Sequence, residues 1–249
     1  MNLTPAFFIQ ARLSSTRFYK KIITPVSTGN TIIDLLLERI RYNFPSHKIY
    51  VLTTANPVDD LLVKYLERKD VVLFRGSENN VLNRFIAAAE EFGESELIRI
   101  CSDNPFLLPE YLFELLQFEQ DADYISFSYK GIPAMKCHFG FFAERVTLNA
   151  LKKIEAMTND LLYLEHVTNY IYGNPSIFKI RLIDKTETLK NIEQYRLTVD
   201  TPEDFQTASV ILSQIKDPNK MTIDDIINAV ERNPQLYRYM NNEKIKNSK

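Results

Sequence analysis

The stretch from Ala6 to Ile23 constrains this chain more than any other. A short apolar run, Ala6-Phe7-Phe8-Ile9, gives way abruptly to Gln10-Ala11-Arg12-Leu13-Ser14-Ser15-Thr16-Arg17-Phe18-Tyr19-Lys20-Lys21, a segment with two arginines, two lysines and three serine or threonine hydroxyls. The run has the length of a strand buried on both faces. A loop leaving the carboxyl end of such a strand can turn backbone N–H groups toward a phosphate while arginine and lysine offset its charge. Composition taken alone favours a basic surface turn, so the rest of the chain has to decide.

Beyond this loop, strands and helices alternate. Helical periodicity runs from Thr31 to Tyr42, with Asn30 or Thr31 placed to cap it, and Lys48 to Thr54 reads as a buried strand. A helix over 57–68 begins with proline in its first turn, a strand follows at 71–75, and Gly76-Ser77-Glu78 introduces a helix over 79–92. Leu97 to Cys101 is a further strand, followed by Ser102-Asp103-Asn104-Pro105 and a helix over 109–118. This alternation predicts an α/β fold, a three-layer α/β/α sandwich with a mostly parallel sheet. Ligands bind such sheets at the carboxyl ends of the strands, where Gln10 to Lys21, Thr53-Thr54, Arg75-Gly76-Ser77 and Ser102-Asp103 all fall. A surface turn does not explain four polar clusters on one edge.

The second half is less regular, and a substrate or dimerisation part is expected near 124–194. Strands are expected at 124–127, 141–144, 178–183 and 195–199, and helices at 148–157, 160–172, 202–215 and 222–231. A loop over 129–139 is placed to lie over the site. At 249 residues the chain suits one domain, expected over 1–240, with a polar tail over 241–249 that frays.

Hydrophobic residues at 45% and charged residues at 25% are ordinary for a water-soluble protein, and no apolar run is long enough for a bilayer span. The start lacks a secretory pattern, so a cytoplasmic location is expected, with no membrane partner. The net charge of −2 disfavours nucleic acid as a partner. Cys101 and Cys137 have no partner at metal or redox spacing, and with 3 histidines a magnesium site built on oxygen is the better metal expectation.

Asp103 and Asp200 each stand where a predicted strand gives way to a turn, and together they can supply carboxylates to magnesium. Asp200, ahead of Thr-Pro-Glu-Asp, equally fits a helix cap, and Asp103 an Asx-turn. Arg12, Arg17 and Lys21, with the hydroxyls of Ser15 and Thr16, suit a triphosphate. The P-loop and dinucleotide glycine patterns are absent, as is a nucleophile elbow. His166 sits in a helical stretch and reads as structural, whereas His138 sits in a loop and reads as the better substrate contact.

These pieces together resemble the cytidylyltransferases of the spore coat polysaccharide biosynthesis protein F type, relatives of the acylneuraminate and ketodeoxyoctonate cytidylyltransferases. The likeness rests on Ile9 to Arg17 with Lys21, on Phe74-Arg75-Gly76-Ser77-Glu78 with Val81-Leu82 and Arg84-Phe85, on Arg99-Ile100 with Asp103 and Pro105, on Glu165-His166-Val167-Thr168, and on Thr198 to Asp204. The resemblance implies a GT-A-like nucleotidyltransferase fold that takes CTP and a small acidic sugar. The products would be pyrophosphate and a CMP-sugar for surface polysaccharide synthesis. It implies catalytic roles for Arg12, Lys21, Asp103 and Asp200, with magnesium on the two aspartates.

By the same resemblance, Gln10, Ala11, Arg12, Ser15, Thr16, Arg17, Lys21 and Ser102 would contact the nucleotide. Thr53, Arg75, Gly76, Ser77 and Arg84 would surround the cytidine. Asn104, His138 and Glu144 are the expected sugar contacts, and relatives often form homodimers. One departure matters: the family's Thr-Arg-Leu-Pro-Gly-Lys is here Thr16-Arg17-Phe18-Tyr19-Lys20-Lys21, without the Pro-Gly turn. The alternatives are a GT-A glycosyltransferase and a non-catalytic nucleotide-binding relative.

Overall fold

The computed structural model describes residues 4–118, 121–190 and 192–246. Its strands are β1 (Ala6–Gln10), β2 (Ile49–Thr54), β3 (Val72–Gly76), β4 (Glu96–Cys101), β5 (Tyr124–Tyr129), β6 (Ile132–Pro133), β7 (Glu144–Thr147) and β8 (Ile180–Asp184). The helices are α1 (Ile32–Asn43), α2 (Asp60–Leu66), α3 (Val81–Phe92), α4 (Pro109–Gln117), α5 (Leu148–Met157), α6 (Leu161–Glu165), α7 (Asn169–Gly173), α8 (Pro202–Leu212), α9 (Ile223–Glu231) and α10 (Gln235–Lys246). One sheet runs in the order β3-β2-β1-β4-β7-β5-β6, with β8 pairing with β5. The half β3-β2-β1-β4 is parallel, while β7 pairs antiparallel with both β4 and β5.

The sheet is central because both of its faces are covered. Phe7 and Ile9 of β1 point into a core shared with α1, α4, α8 and α9, and Ala6 and Phe8 into a second core shared with α3 and α5. That alternation is why β1 reads as a continuous apolar run. α1 starts on Thr31, whose hydroxyl accepts the Asp34 N–H at 3.2 Å while the Asp34 carboxylate accepts the Thr31 N–H at 3.3 Å. Among the described residues no helix is long and apolar enough to cross a membrane.

Three expectations for the second half are corrected. Residues 195–199 are extended but not a strand: the Leu197 N–H donates to the His138 carbonyl at 2.7 Å and the Val199 N–H to the Asp103 carbonyl at 2.9 Å, so the segment stitches two loops together. The expected helix over 160–172 is broken into α6 and α7 at His166-Val167-Thr168. The tail over 241–249 is not a loose extension from its start, because α10 runs to Lys246; residues 247–249 lie outside the described residues. Leu236 and Met240, one helical turn apart, are buried in the core and dock α10 there.

The loop after β1 is held by its own contacts. Buried Asp59 accepts the Leu13 N–H at 2.7 Å and the Thr54 hydroxyl. The Leu13 carbonyl receives the N–H groups of Ser15 at 2.8 Å and Lys20 at 3.2 Å. Phe18 packs edge-on against Phe205 of α8, ring centroids 5.3 Å apart. Lys20 adopts φ 59°, ψ 15°, the left-handed region that glycine enters without penalty. The turn that Pro-Gly would favour is thus formed without it, at a cost of about 1–2 kcal/mol for the side chain on Lys20.

Two stability measurements check this account. Replacing Lys20→Gly should leave the loop in place and change stability by less than about 1 kcal/mol, because relief of the left-handed strain is offset by the larger entropy of an unfolded glycine. Asp59→Ala leaves two buried donors without acceptors and should destabilise by about 2–4 kcal/mol, lowering the thermal midpoint by about 5–12 °C.

Candidate active site

The chain turns to one side of β1 to make β2 and β3 and to the other side to make β4. Strand order therefore reverses between β1 and β4, and a crevice opens beyond their carboxyl ends. A cleft of about 390 Å³ lies there. The structure brings Gln10, Arg12, Ser15, Thr16, Arg17 and Lys21 to it from the loop after β1, Ser102, Asp103 and Asn104 from the end of β4, and Asp200 from the start of α8.

Lys21 joins the three pieces. It is 8% exposed, and its Nζ donates to the Val199 carbonyl at 2.5 Å while lying 3.7 Å from Asp103 Oδ2 and 3.9 Å from Asp200 Oδ1. The structure also separates the readings of Asp200. Thr201 caps α8 in a capping box with Asp204, which leaves the Asp200 carboxylate for the cleft. Arg17 donates to Asp200 Oδ1 at 2.8 Å, and Arg196 to Asp200 Oδ2 at 2.9 Å.

Arg196 is buried, and it also holds Asp204 through Nε at 2.8 Å and Nη2 at 3.0 Å. Burial disfavours its charge, but Asp204 and Asp200 outweigh that and keep its pKa above the ordinary guanidinium value. The turn after Asp103 is closed by the backbone, Asn104 N–H to the Cys101 carbonyl at 3.2 Å, and the Asp103 carboxylate reaches toward Lys21.

Asp103 and Asp200 converge on one positive centre, and magnesium takes one or two carboxylates while water and phosphate fill its other positions. Among the described residues no third carboxylate, histidine or cysteine joins them in a closed metal cluster. Both carboxylates already pair with cations of the site, Asp103 with Lys21 and Asp200 with Lys21, Arg17 and Arg196, and their oxygens are of the hard type that magnesium takes.

Several expected contacts lie elsewhere. Ala11 is buried and its N–H is committed to the Leu52 carbonyl at 3.0 Å, so it is not turned to a phosphate. His138 does not line the cleft; its Nδ1 accepts from Arg196 Nη1 at 2.7 Å, placing it behind Asp200. Glu144 is fully buried and receives Arg99, the Tyr124 hydroxyl at 2.6 Å and the Thr168 hydroxyl at 2.6 Å, so it is a buried counter-charge and not a sugar contact.

Thr53, Arg75, Gly76, Ser77 and Arg84 do not line the cleft either. Arg75 ties β3 to the segment after β2 through the Thr54 carbonyl at 3.0 Å and Asp60 at 2.7 Å. The Ser77 hydroxyl accepts the Asn80 N–H at 3.0 Å. Gly76 gives Arg84 its room: a Cβ there would come within 2.9 Å of the Arg84 side chain. Arg84 Nη1 donates to the Ser77 carbonyl at 2.9 Å. Burial, then the charge of Arg12, pulls its pKa down to about 10. The Thr53 hydroxyl and Arg84 Nε and Nη2 are buried without hydrogen-bond partners among the described residues. Such buried polar groups call for a partner.

The cleft is also lined by Glu165, His166, Thr168, Asn169 and Tyr172, none of which was expected to contact nucleotide or sugar. They face the cleft because the helix breaks. Val167, fully buried, has φ 24°, a strained value for a β-branched residue that costs about 1–3 kcal/mol. Arg12 reaches across to Glu165 at 3.2 Å. The apolar spacing of 160–172 carries no sign of the break, and only the β-branched pair Val167-Thr168 weakens the helical reading.

The profile of the cytidylyltransferase family matches residues 6–245. The chain is 31% identical over 237 residues to the spore coat polysaccharide biosynthesis protein SpsF of Bacillus subtilis, covering 92% of this chain and 94% of that protein. It is 32% identical over 230 residues to an uncharacterized protein of Methanocaldococcus jannaschii, covering 92% and 90%. Among solved structures it is similar to a cytidylyltransferase from Leptospira borgpetersenii, with a TM-score of 0.82, 26% identity and coverage of 95% and 97%. It shares the fold of CMP:2-keto-3-deoxy-manno-octonic acid synthetase complexed with CTP, with a TM-score of 0.61, 13% identity and coverage of 85% and 99%. A conserved-length match of this kind, on a parallel sheet whose switch-point cleft gathers cations and two carboxylates, leaves one conclusion: the chain belongs to the cytidylyltransferase family and is a nucleotidyltransferase.

Proposed function

We propose that the protein transfers the cytidylyl group of CTP to a hydroxyl of a small acidic sugar, releasing pyrophosphate and a CMP-sugar for polysaccharide synthesis. The observation that carries this reading is Lys21, seated between Asp103 and Asp200 at the head of the cleft although the loop before it lacks Pro-Gly. That seating favours a working enzyme over a non-catalytic relative. The polysaccharide context is supported by the name of the Bacillus subtilis relative.

In this reading Arg12, Arg17 and Lys21 hold the β- and γ-phosphates and offset the charge that gathers on the leaving pyrophosphate. Asp103 and Asp200 would hold magnesium, which when bound would supply neutralisation of phosphate charge. Arg196 and Arg17 keep the Asp200 carboxylate oriented. A sugar hydroxyl attacks the α-phosphorus in line, its O–P bond forming and its proton passing to water as the bond to the β-phosphate oxygen breaks and pyrophosphate leaves. Catalysis is positioning and electrostatics, with no covalent intermediate.

Pyrophosphate release from CTP, measured over a panel of 2-keto-3-deoxy sugar acids, tests the reaction; release with CTP and one such acid is expected, and no release with any acid would refute it. Lys21→Met should lower kcat/KM for CTP by about 100- to 1,000-fold, the loss typical of one preorganised charge at a developing anion. Asp103→Ala should abolish turnover with the thermal midpoint little changed. Chelation by EDTA should stop the wild-type reaction and added magnesium restore it, and Asp200→Asn should raise the magnesium concentration needed.

A further inference from the structure

Two buried arginines stand behind the two aspartates of the cleft. Arg196 holds the Asp200 carboxylate directly, at 2.9 Å. Arg39 lies farther back, 1% exposed near the end of α1, and donates to three backbone carbonyls: Nε to Pro218 at 2.7 Å, and Nη1 to Pro105 at 2.7 Å and Leu107 at 3.1 Å. Its Nη2 is buried without a hydrogen-bond partner among the described residues. Burial, with no neighbouring charge among the described residues to offset it, pulls its pKa down to about 10, so it remains a cation at neutral pH. A buried cation with no carboxylate beside it is costly, and an apolar side chain of similar volume would fill the same space without that cost. What the guanidinium supplies instead is a rigid planar fork that gathers carbonyls from two segments far apart in sequence.

One of those segments follows Asp103 directly. Phe106, Leu107 and Leu108 are fully buried, and the carbonyls at 105 and 107 both meet Arg39. The same stretch is tied to its neighbours by backbone bonds: the Asp103 carbonyl accepts the Val199 N–H at 2.9 Å, and the Leu108 N–H donates to the Phe141 carbonyl at 3.1 Å. Without the fork, two buried carbonyls lose their donor, and the segment has to shift to find another. Pro105, with its fixed φ, carries such a shift back toward Asp103. We propose that Arg39 is a positioning residue for the Asp103 carboxylate, acting through the carbonyls of Pro105 and Leu107 and touching neither nucleotide nor sugar. The inference rests on the cytidylyl-transfer reading above, in which Asp103 would hold the metal. Among the described residues Arg39 makes no hydrogen bond to the loop that carries Arg12, Arg17 and Lys21, so its loss falls on the metal and spares the triphosphate cations.

The test uses full-length protein, manganese as a paramagnetic probe of the metal position, and the non-cleavable analogue α,β-methylene-CTP. Arg39→Met should raise the manganese dissociation constant, read by electron paramagnetic resonance with the analogue present, by about 10- to 100-fold, the loss typical when a metal ligand's support is removed. CTP affinity measured by calorimetry without metal should change less than about twofold, by the separation of the two loops argued above. Arg39→Lys keeps the charge but loses the fork, so it should fall between wild type and Arg39→Met, and it decides the matter if the methionine variant does not fold. Asn43→Ala is the control for packing. Asn43 Nδ2 donates to the Asn219 carbonyl at 2.8 Å, so its loss loosens the contact of α1 with residues 218–220 without touching 105–107. It should lower the thermal midpoint and leave manganese binding within about twofold of wild type. The proposal is overturned if the deciding Arg39 variant binds manganese as wild type does, if it loses metal-free CTP affinity to the same degree, or if Asn43→Ala weakens manganese equally. A wild type that binds no manganese beside the analogue overturns the assignment of metal to Asp103 and this inference with it, whereas a wild type that binds it and an indifferent Arg39 variant overturn this inference alone.

Discussion

One buried ammonium group ties the site together. Lys21 leaves the loop after β1, and its Nζ meets the Val199 carbonyl, Asp103 and Asp200, which belong to segments about 80 and 180 residues away in sequence. A charge so nearly buried is tolerated only when it is paired and hydrogen-bonded. The pairing fixes the loop, the end of β4 and the start of α8 relative to each other. Asp103 is the most exposed member, and without it Lys21 keeps the Val199 carbonyl and Asp200.

A second buried charge group lies beside the cleft, which Arg99 lines. Arg99 and Glu144 are directly opposed across the antiparallel pair β4 and β7, and Arg99 Nη2 also donates to Gln10 at 3.0 Å. Burial works against the Arg99 charge, but Cys101 and Glu144 hold its pKa above the ordinary guanidinium value. The same glutamate accepts the Thr168 hydroxyl, so β7 holds the turn between α6 and α7 against the sheet. Both groups sit on β4 or just after it, next to the point where strand order reverses.

Much of the first half was legible in the sequence. The strands and helices up to Gln117 lie within a few residues of their expected places, and the strand-end clusters Gln10 to Lys21 and Ser102-Asp103 do line one cleft. Local signals suffice there: a capping box at Thr31, a proline in a first turn, apolar runs between polar turns. The second half was less legible because its conformation is set by distant partners. Residues 195–199 have the composition of a strand, yet their N–H groups go to His138 and Asp103, from two different loops. His138, a loop residue, turned inward to Arg196, while His166, in a helical pattern, turned out to the cleft.

The sequence by itself determined the class of fold and the chemical character of its edge, because periodicity and turn residues report burial and chain reversal over a few residues. It also set a cationic loop and an aspartate, Asp103, just past a strand end. Only the tertiary structure decided that Lys20 enters the left-handed region without glycine, that Thr201 and not Asp200 caps α8, and that Glu144 is a buried counter-charge. The reason is physical. Each outcome balances a local cost, strain at Lys20 and Val167 or desolvation at Arg99 and Glu144, against contacts with residues far away in the chain, and those contacts exist only once the sheet has closed.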